Sequence, residues 1–452
     1  KAEQELARHG KRWEQDNVIP TELYPEVTTD ERPRRYGMPR WADLFAPRQL
    51  LVAAVLVEEL RRLHKEISHT DKQMIEPATH LLAYILNKFI NHNCVATRFE
   101  NTRSVIKGRM DRHDCQFKPT FAEMAPCGAG VGFDWAIDNV CEAYEEIAKF
   151  SKSSTSKAVE ISMGSATNLP DIADKSISAV VVDPPYADNV QYSELADFFY
   201  VWLRRTQGHR RPEWFSSYLC DHAEEAVVNI PRHQSGDAKA ADARRQANAF
   251  YQRLMGEIFA ESRRILRDDG ALTVMFTHKK QSAWEALFTS LVKAGFTITA
   301  TWPVKTESEH SLHQAKKNAA QSTVILVARK RDDKAEVGYF DAEMRHEIRL
   351  AAQKTAERLM KDGLNPVDQL VGSFGPAMEV YSRHFEVRTG VDEEGKSNLV
   401  GVDRALDEAS EAVAAFRIQQ LAARGFQEVE SEGLFYLLCW DVLQAAEFRF
   451  ND

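Results

Sequence analysis

The run Val180–Tyr186, which reads Val-Val-Val-Asp-Pro-Pro-Tyr, constrains the fold more than any other part of the chain. Its apolar residues predict a buried parallel strand. The two prolines end that strand because they lack an N–H group and restrict the backbone. Asp183 and Tyr186 are therefore held at the carboxyl end of a strand. Ligands of open α/β sheets bind at this end, so the run predicts an α/β fold and a binding site together.

Length and charge limit the number of domains and the kinds of partner that the sequence can be expected to have. The 452 residues suffice for two or three domains. A net charge of −9 does not favour a nucleic-acid-binding protein, whose binding face is usually basic. Basic clusters nevertheless follow the proline motif, and two interpretations stay open for them: solvated helix faces, which we favour, or a DNA-facing surface. The clusters are Arg204-Arg205, His209-Arg210-Arg211, Arg244-Arg245, Arg263-Arg264, Lys279-Lys280 and Lys316-Lys317.

Six scattered cysteines form no CxxC pair, so neither a zinc site nor a disulfide framework is expected. No apolar run is long enough to span a bilayer and no secretory signal opens the sequence, which predicts no membrane association and a cytoplasmic location. Because the first residue is Lys1 rather than Met, we expect the sequence to be part of a longer or processed polypeptide.

Hydrophobic periodicity predicts three regions: a helical insertion or subdomain at 1–125, an α/β core at 126–332 and a helical domain at 333–452. Residues 1–40 are polar and are expected to be extended or weakly ordered. The predicted core strands are 158–163, 178–183, 271–277, 296–304 and 323–329, the last two forming an antiparallel hairpin. The predicted helices are 42–67, 77–91, 134–150, 193–205, 247–266, 283–294, 340–361 and 402–423. We expect Asp268-Asp269-Gly270 to end the helix before it.

A glycine-rich loop, Gly128, Gly130 and Gly132, precedes the helix at 134–150. Such loops hold nucleotides when a strand leads into them, because glycine permits close backbone approach. No clear strand precedes this one. We therefore favour a simple loop and helix start over a cofactor loop.

Asp-Pro-Pro-Tyr after a strand resembles the signature of amino-methyltransferases, above all those that methylate the N6 amino group of adenine in DNA. The segments Gly164–Pro170, Val180–Leu203 and Gly375–Ser382 look like a family of large prokaryotic adenine-specific DNA methyltransferases associated with anti-phage defence. The resemblance covers residues 40–440. It implies a Rossmann-like methyltransferase sheet, mostly parallel with one antiparallel strand, plus a helical N-terminal insertion and a helical C-terminal domain.

The resemblance also implies S-adenosyl-L-methionine as cofactor, double-stranded DNA as partner, and a role in restriction–modification or phage defence. The adenine amine is a poor nucleophile, because its lone pair is delocalised into the ring, so acceptors must orient it. Asp183 and the Pro184 carbonyl are the expected acceptors. Tyr186 is expected to stack the extruded base. With Pro185 these residues form the predicted catalytic set.

Further positions complete the predicted site. A second wall for the base is Phe198, Phe199 or Tyr192, although core packing of the following helix is the favoured interpretation. His278, after the strand at 271–277, either lines the pocket or is a plain loop residue. The methyl donor is expected at Gly164, Ser165, Ala166 and Asp183, with Asn168 nearby.

The chain lacks the glycine-rich donor motif that the family carries far upstream of Asp-Pro-Pro-Tyr. The donor-binding half is therefore expected from an N-terminal half or from another defence-system subunit. Two alternatives stay open. One is the same chemistry on cytosine N4, RNA adenine or a protein amide, although Asp at position 183 favours adenine. The other is a catalytically incomplete DNA-binding or scaffold subunit. The DNA recognition sequence is not readable from the chain.

Overall fold

The computed structural model describes residues 1–67, 72–112, 120–152, 159–234, 236, 239–305, 322–390, 396–423, 430, 433 and 436. Eleven α-helices lie in this part of the chain. They are α1 (Ala2–Gln15), α2 (Arg32–Arg35), α3 (Pro47–Ile67), α4 (Lys72–Asn91), α5 (Phe133–Lys152), α6 (Tyr192–Gln207), α7 (Ala240–Ile265), α8 (Gln281–Lys293), α9 (Ala342–Lys361), α10 (Pro366–Ser382) and α11 (Val402–Ala423).

The same residues contain eight strands. They are β1 (Arg98–Glu100), β2 (Val105–Lys107), β3 (Ile177–Val182), β4 (Leu266–Phe276), β5 (Phe296–Lys305), β6 (Ser322–Lys330), β7 (Gly338–Tyr339) and β8 (Val387–Arg388). The protein is thus mixed α/β, as the sequence predicted in outline. No helix within the described ranges is both long and apolar enough to cross a membrane.

The chain forms two compact units. Unit 1 comprises Lys1–Met163, Gln191–Glu225 and Asn229–Gln234, and unit 2 comprises Gly164–Val190, Ala226–Val228 and Ser235–Asp452. These limits differ from the predicted divisions at 125 and 332. Helices α5 and α6 belong to the first unit, whereas α9, α10 and α11 belong to the same unit as the main sheet.

Unit 2 is built on a four-stranded sheet of order β3-β4-β6-β5. β3 pairs with β4 in parallel, and β6 is antiparallel to both β4 and β5. Three strands therefore point one way and β6 points the other. The predicted antiparallel hairpin of the last two strands is confirmed. β3 lies at one edge of the sheet.

Alternate residues of β4 form the core of this sheet. Leu272, Val274 and Phe276 are 0% exposed, and burying each such side chain stabilises the fold by about 1.5–3 kcal/mol. Helix α10 packs on β5, where the Ser382 hydroxyl accepts the Ile298 N–H at 2.9 Å. Residues 374–381 lie inside α10, and most of them belong to this core.

Unit 1 is mainly helical, and its core joins α3, α4 and α6. The rings of Phe45 and Phe198 stack with centroids 5.5 Å apart, and Trp202 meets Phe45 edge-on. Phe198 is 1% exposed. Core packing, rather than a wall for a base, is therefore the role of Phe198.

The predicted weak order of residues 1–40 is wrong. α1 occupies Ala2–Gln15, with Glu3 and Glu5 in its first turn, where acidic side chains favour the helix dipole. Trp13 fixes the other end, because its side chain is only 1% exposed. Val18, Ile19 and Tyr24 are buried in the same core, so the segment is ordered by a few apolar side chains in an otherwise polar sequence.

Two further boundaries are corrected. The strand predicted at 158–163 does not form: residues 159–163 have no regular structure, Val159 and Ile161 are 83% and 93% exposed, and Ala158 lies outside the described residues. Alternation alone does not make a strand without a neighbour to pair with. Helix α7 ends at Ile265, and Asp268-Asp269-Gly270 lies inside β4, where the register with β3 shifts. The sequence also contains an apolar segment at 434–444, which lies outside the described residues apart from Tyr436.

Candidate active site

The proline motif leaves the sheet at the carboxyl end of β3. Asp183 directly follows the strand and is exposed. The Tyr186 hydroxyl donates to Asp183 Oδ1 at 2.5 Å. The Tyr186 ring meets Phe276, the last residue of β4, edge-on with centroids 5.3 Å apart. The carboxylate is therefore braced by a phenol that is itself held against the next strand.

The two prolines are anchored from α7. Pro184 is buried, and the Tyr251 hydroxyl donates to the Pro185 carbonyl at 2.9 Å. Tyr251 is 1% exposed, so this bond forms away from solvent. The carbonyl that it occupies is not that of Pro184, which the sequence assigned to the target amine.

The turn after the prolines is strained. Ala187 has φ of +50°, a left-handed conformation that costs a residue other than glycine about 1–2 kcal/mol. Its carbonyl accepts the Val228 N–H at 3.1 Å, and the Tyr186 carbonyl accepts the Asn189 N–H at 3.0 Å. Surrounding bonds therefore hold the chain in a conformation that it would not adopt alone.

A carboxylate and a histidine tie this turn to the loop after β4. His278 is 2% exposed, and its Nε2 lies 3.1 Å from Asp188 Oδ1. The Lys280 N–H donates to His278 Nδ1 at 3.0 Å. Because Nδ1 accepts, Nε2 carries the hydrogen and donates it to Asp188. The Lys280 ammonium also lies 2.5 Å from Asp188 Oδ2.

These bonds set the charge of Asp188. The hydrogen bond from His278, and then that from Lys280, hold the pKa of Asp188 well below its ordinary value of 3.8, despite partial burial. The carboxylate is thus ionised at neutral pH. His278 is fixed further through its backbone carbonyl, which accepts the Trp284 indole N–H at 2.8 Å.

A cleft of about 610 Å³ opens beside Asp188, between one face of α7 and the start of α8. Two of the predicted basic clusters lie here. Arg244 and Arg245 are exposed on α7, and Lys280 is on the opposite side of the cleft. Arg245 is paired with Asp242 at 3.0 Å. The cleft is thus lined by both basic and acidic side chains, because Asp188 also lines it.

The residues assigned to the methyl donor lie on a different part of unit 2. Gly164 and Ala166 are exposed, and the Ser165 hydroxyl is bonded to Thr167 at 2.8 Å. Their loop is fastened at Leu169, whose N–H donates to Glu261 near the end of α7. α7 leads into the first residue of β4, which pairs with the first residue of β3. Leu169 therefore lies near the amino end of β3, whereas Asp183 follows its carboxyl end.

The glycine-rich loop before α5 has a structural explanation. Gly132 has φ of +62°, and a Cβ there would lie 2.1 Å from the Ala125 carbonyl oxygen. Phe133, the first residue of α5, donates its N–H to the Pro126 carbonyl at 3.0 Å. Glycine is required by this tight turn into a helix, in line with the interpretation as a simple helix start.

The aromatic candidates of α6 belong to unit 1. Phe198 is core, Phe199 lines an apolar groove with residues of α4 and α5, and Tyr192 is 40% exposed at the helix start. Sequence reasoning missed Asp188 and Tyr251. The position of Asp188 two residues after the motif, beside the end of a parallel neighbour strand, was the available signal.

Comparison with known proteins found no relative of this chain. A scan of protein-family models, a search of curated proteins and a search of solved structures each gave no match. The arrangement around Asp183 therefore has to be interpreted from its own chemistry.

Proposed function

We propose that unit 2 carries the amine-gripping half of an S-adenosyl-L-methionine-dependent DNA methyltransferase that acts on the N6 amino group of a flipped adenine, in restriction–modification or phage defence. One observation carries the proposal: Asp183 and Tyr186 are held together at the carboxyl end of a parallel strand, on a turn braced from β4 and α7.

The chemistry follows from that bracing. The Tyr186 hydroxyl donates to Asp183 Oδ1 and so orients the carboxylate, and in the proposal Oδ2 accepts from a second donor. An adenine amino hydrogen is such a donor, and the Pro184 carbonyl is the second acceptor in the proposal. Two acceptors fixed in advance draw the amine hydrogens toward them without reorganising in the transition state.

The sheet supports the same proposal. Its three parallel strands and single antiparallel strand agree with the mixed sheet that the resemblance implies. β3 contains no charged residue, pairs on one side only among the described strands, and leaves Val181 69% exposed. Exposed apolar edges of this kind are templates for added strands. We propose that a partner polypeptide completes the sheet here.

The assigned donor residues do not fit the methyl donor. Nothing lies within 4 Å of a Cβ built on Gly164, so no close approach explains that glycine. The polar groups of the loop are bonded to their own neighbours or to α7. We therefore place no donor contact on Gly164, Ser165 or Ala166, and the donor is bound by the partner half in this proposal.

The test is methylation in cells. The chain, expressed with the genes that neighbour it, should introduce N6-methyladenine into the genome of a host that lacks DNA methylation, read by long-read sequencing. Asp183→Ala should abolish the signal, and Asp171→Asn, an exposed acid before β3, should leave it unchanged. Modification of cytosine instead, or full activity of Asp183→Ala, would contradict the assignment.

A scaffold subunit is the second candidate, favoured by the separation of the donor loop from Asp183. Calorimetry distinguishes the two. The purified complex should release heat with S-adenosyl-L-methionine if unit 2 belongs to an enzyme. Absence of donor binding by the complex, together with intact DNA binding by Asp183→Ala, would favour the scaffold.

A further inference from the structure

A second pocket lies within unit 1 and has a different chemistry. It has a volume of about 610 Å³ and is bounded by α3, by the end of α6 and by the loop after α6. Its basic side chains are Arg61, His64, Lys65, Arg204, Arg205 and His209. None of its described lining residues is Asp or Glu. The pocket therefore has a strong excess of positive charge.

The buried cation of this pocket is not satisfied by the protein. Arg205 is 1% exposed, and one of its nitrogens is bonded to Glu22 at 2.9 Å and to the Val201 carbonyl at 2.7 Å. Its Nε and Nη2 have no hydrogen-bond partner among the described residues. Buried donors of a charged group are rarely left unpaired, because the loss of hydration is costly.

The acid behind the pocket does not balance its charge. Glu22 is shared by Arg204 and Arg205, at 3.1 and 2.9 Å. The guanidinium of Arg61 donates hydrogen bonds to three backbone carbonyls. Burial and then the neighbouring Arg205 lower the pKa of Arg61. Arg61 and Arg205, which both line the pocket, therefore repel each other.

Two histidines, His64 and His209, also line the pocket. The rings of His64 and His209 meet edge-on with centroids 4.9 Å apart. Burial, followed by nearby cations, lowers the pKa of both. His64 Nδ1 is buried and has no partner within the described ranges. Two nitrogens of Arg205 and one of His64 are therefore buried beside this pocket without a hydrogen-bond partner among the described residues.

We infer that this pocket binds a phosphate group. Phosphate accepts several charge-assisted hydrogen bonds at once, which suits a pocket lined by arginine, lysine and histidine with no acid among its described residues. Its two sources are a free phosphate or nucleotide and the backbone of a nucleic acid. The inference does not depend on the proposed function, since all of its residues lie in unit 1.

Pyrophosphate is the probe. Calorimetry and thermal unfolding at constant ionic strength should show binding and a rise in Tm with pyrophosphate, larger than with chloride. Lys65→Ala, which removes one cation from the lining, should weaken the affinity by about tenfold. His64→Ala should weaken it as well. Both residues are on the accessible helix α3, and unfolding without ligand checks that the variants are folded.

Arg62→Ala is the matched control. The Arg62→Ala substitution removes a cation from the same helix. Arg62 is paired with Glu59 and Glu66, and it does not line the pocket. It should bind pyrophosphate like the wild type. No binding by the wild type, or equal losses in Arg62→Ala and Lys65→Ala, would overturn the inference. Competition by a nucleoside diphosphate would identify a free phosphate as the source, and competition by duplex DNA alone would identify the backbone.

Discussion

Replacement of Asp188 tests whether a buried hydrogen bond holds the turn after the proline motif. Asp188→Ala removes the acceptor of His278 Nε2–H, and the His278 side chain is 1% exposed. An unsatisfied buried donor costs about 1–3 kcal/mol. The half-exposed pair with Lys280 adds at most about 1 kcal/mol. We therefore expect a loss of about 2–3 kcal/mol in the local free energy of opening.

Asp188→Asn separates the two contributions. Its amide oxygen still accepts the hydrogen bond from His278, so only the ion pair with Lys280 is lost. We expect a loss of about 1 kcal/mol or less. Asp242→Ala serves as the control, because Asp242 makes only an exposed pair with Arg245.

The same variants predict a pH dependence. The pKa of Asp188 is lowered in the folded protein, so the stability from its ionised form is present above the ordinary value of 3.8 and is lost as the pH falls below it. The gap between wild type and Asp188→Asn should therefore be constant between pH 7 and 5, and should shrink only in more acidic solution.

The measurement is hydrogen exchange in increasing urea, read by mass spectrometry on a peptide that spans the end of β4 and the start of α8. This reports local opening, which global unfolding of two units would obscure. Equal losses in Asp188→Ala and Asp188→Asn would refute the hydrogen-bond argument. A gap that widens in acid would refute the assigned charge.

Three further substitutions test packing and a buried ion pair. Gly375→Ala should lower the free energy of unfolding by about 1–3 kcal/mol in urea titration, because the new Cβ would lie 2.1 Å from Thr301 Oγ1, on a stiff β-branched side chain. Gly256→Ala, in α7 with nothing within 4 Å, should instead be neutral or stabilise by about 0.5–1 kcal/mol. Glu22→Gln should destabilise unit 1 by about 3–5 kcal/mol in the same assay, because it leaves Arg205 buried without a counter-charge; a change below 1 kcal/mol would contradict this.

Long periodic elements were predictable from the sequence. The helices at 134–150 and 402–423 and the strands at 296–304 and 323–329 agree with the observed bounds within two residues. In the strands and in α11 the local pattern and burial coincide, because each buries one face against a neighbour. In α5 the periodicity predicted the helix although Ile147 and Phe150 are 65% and 77% exposed. Where no neighbour is present, as at residues 159–163, the same alternation gives no strand.

Pairings across the chain were not predictable in this way. Asp188 and His278 lie 90 positions apart, and only the parallel register of β3 and β4 brings them together. Arg205 belongs to a cluster interpreted as a solvated helix face, yet it is 1% exposed. A local pattern records the spacing of charges along a helix but not which of them the fold buries.

The loop that begins at Gly164, to which the sequence assigned the methyl donor, decides what the Asp-Pro-Pro-Tyr turn can do alone. A methyl transfer needs the target amine and the methyl group within about 3–3.5 Å. Six residues of strand β3 extend about 20 Å, and the loop after Gly164 is fastened near its amino end while Asp183 follows its carboxyl end. The fastening of Leu169 therefore does not bring this loop to the target amine at Asp183. In the proposed function a donor-binding half completes the sheet at the uncharged edge of β3, so methylation should be assayed on a complex rather than on unit 2 by itself.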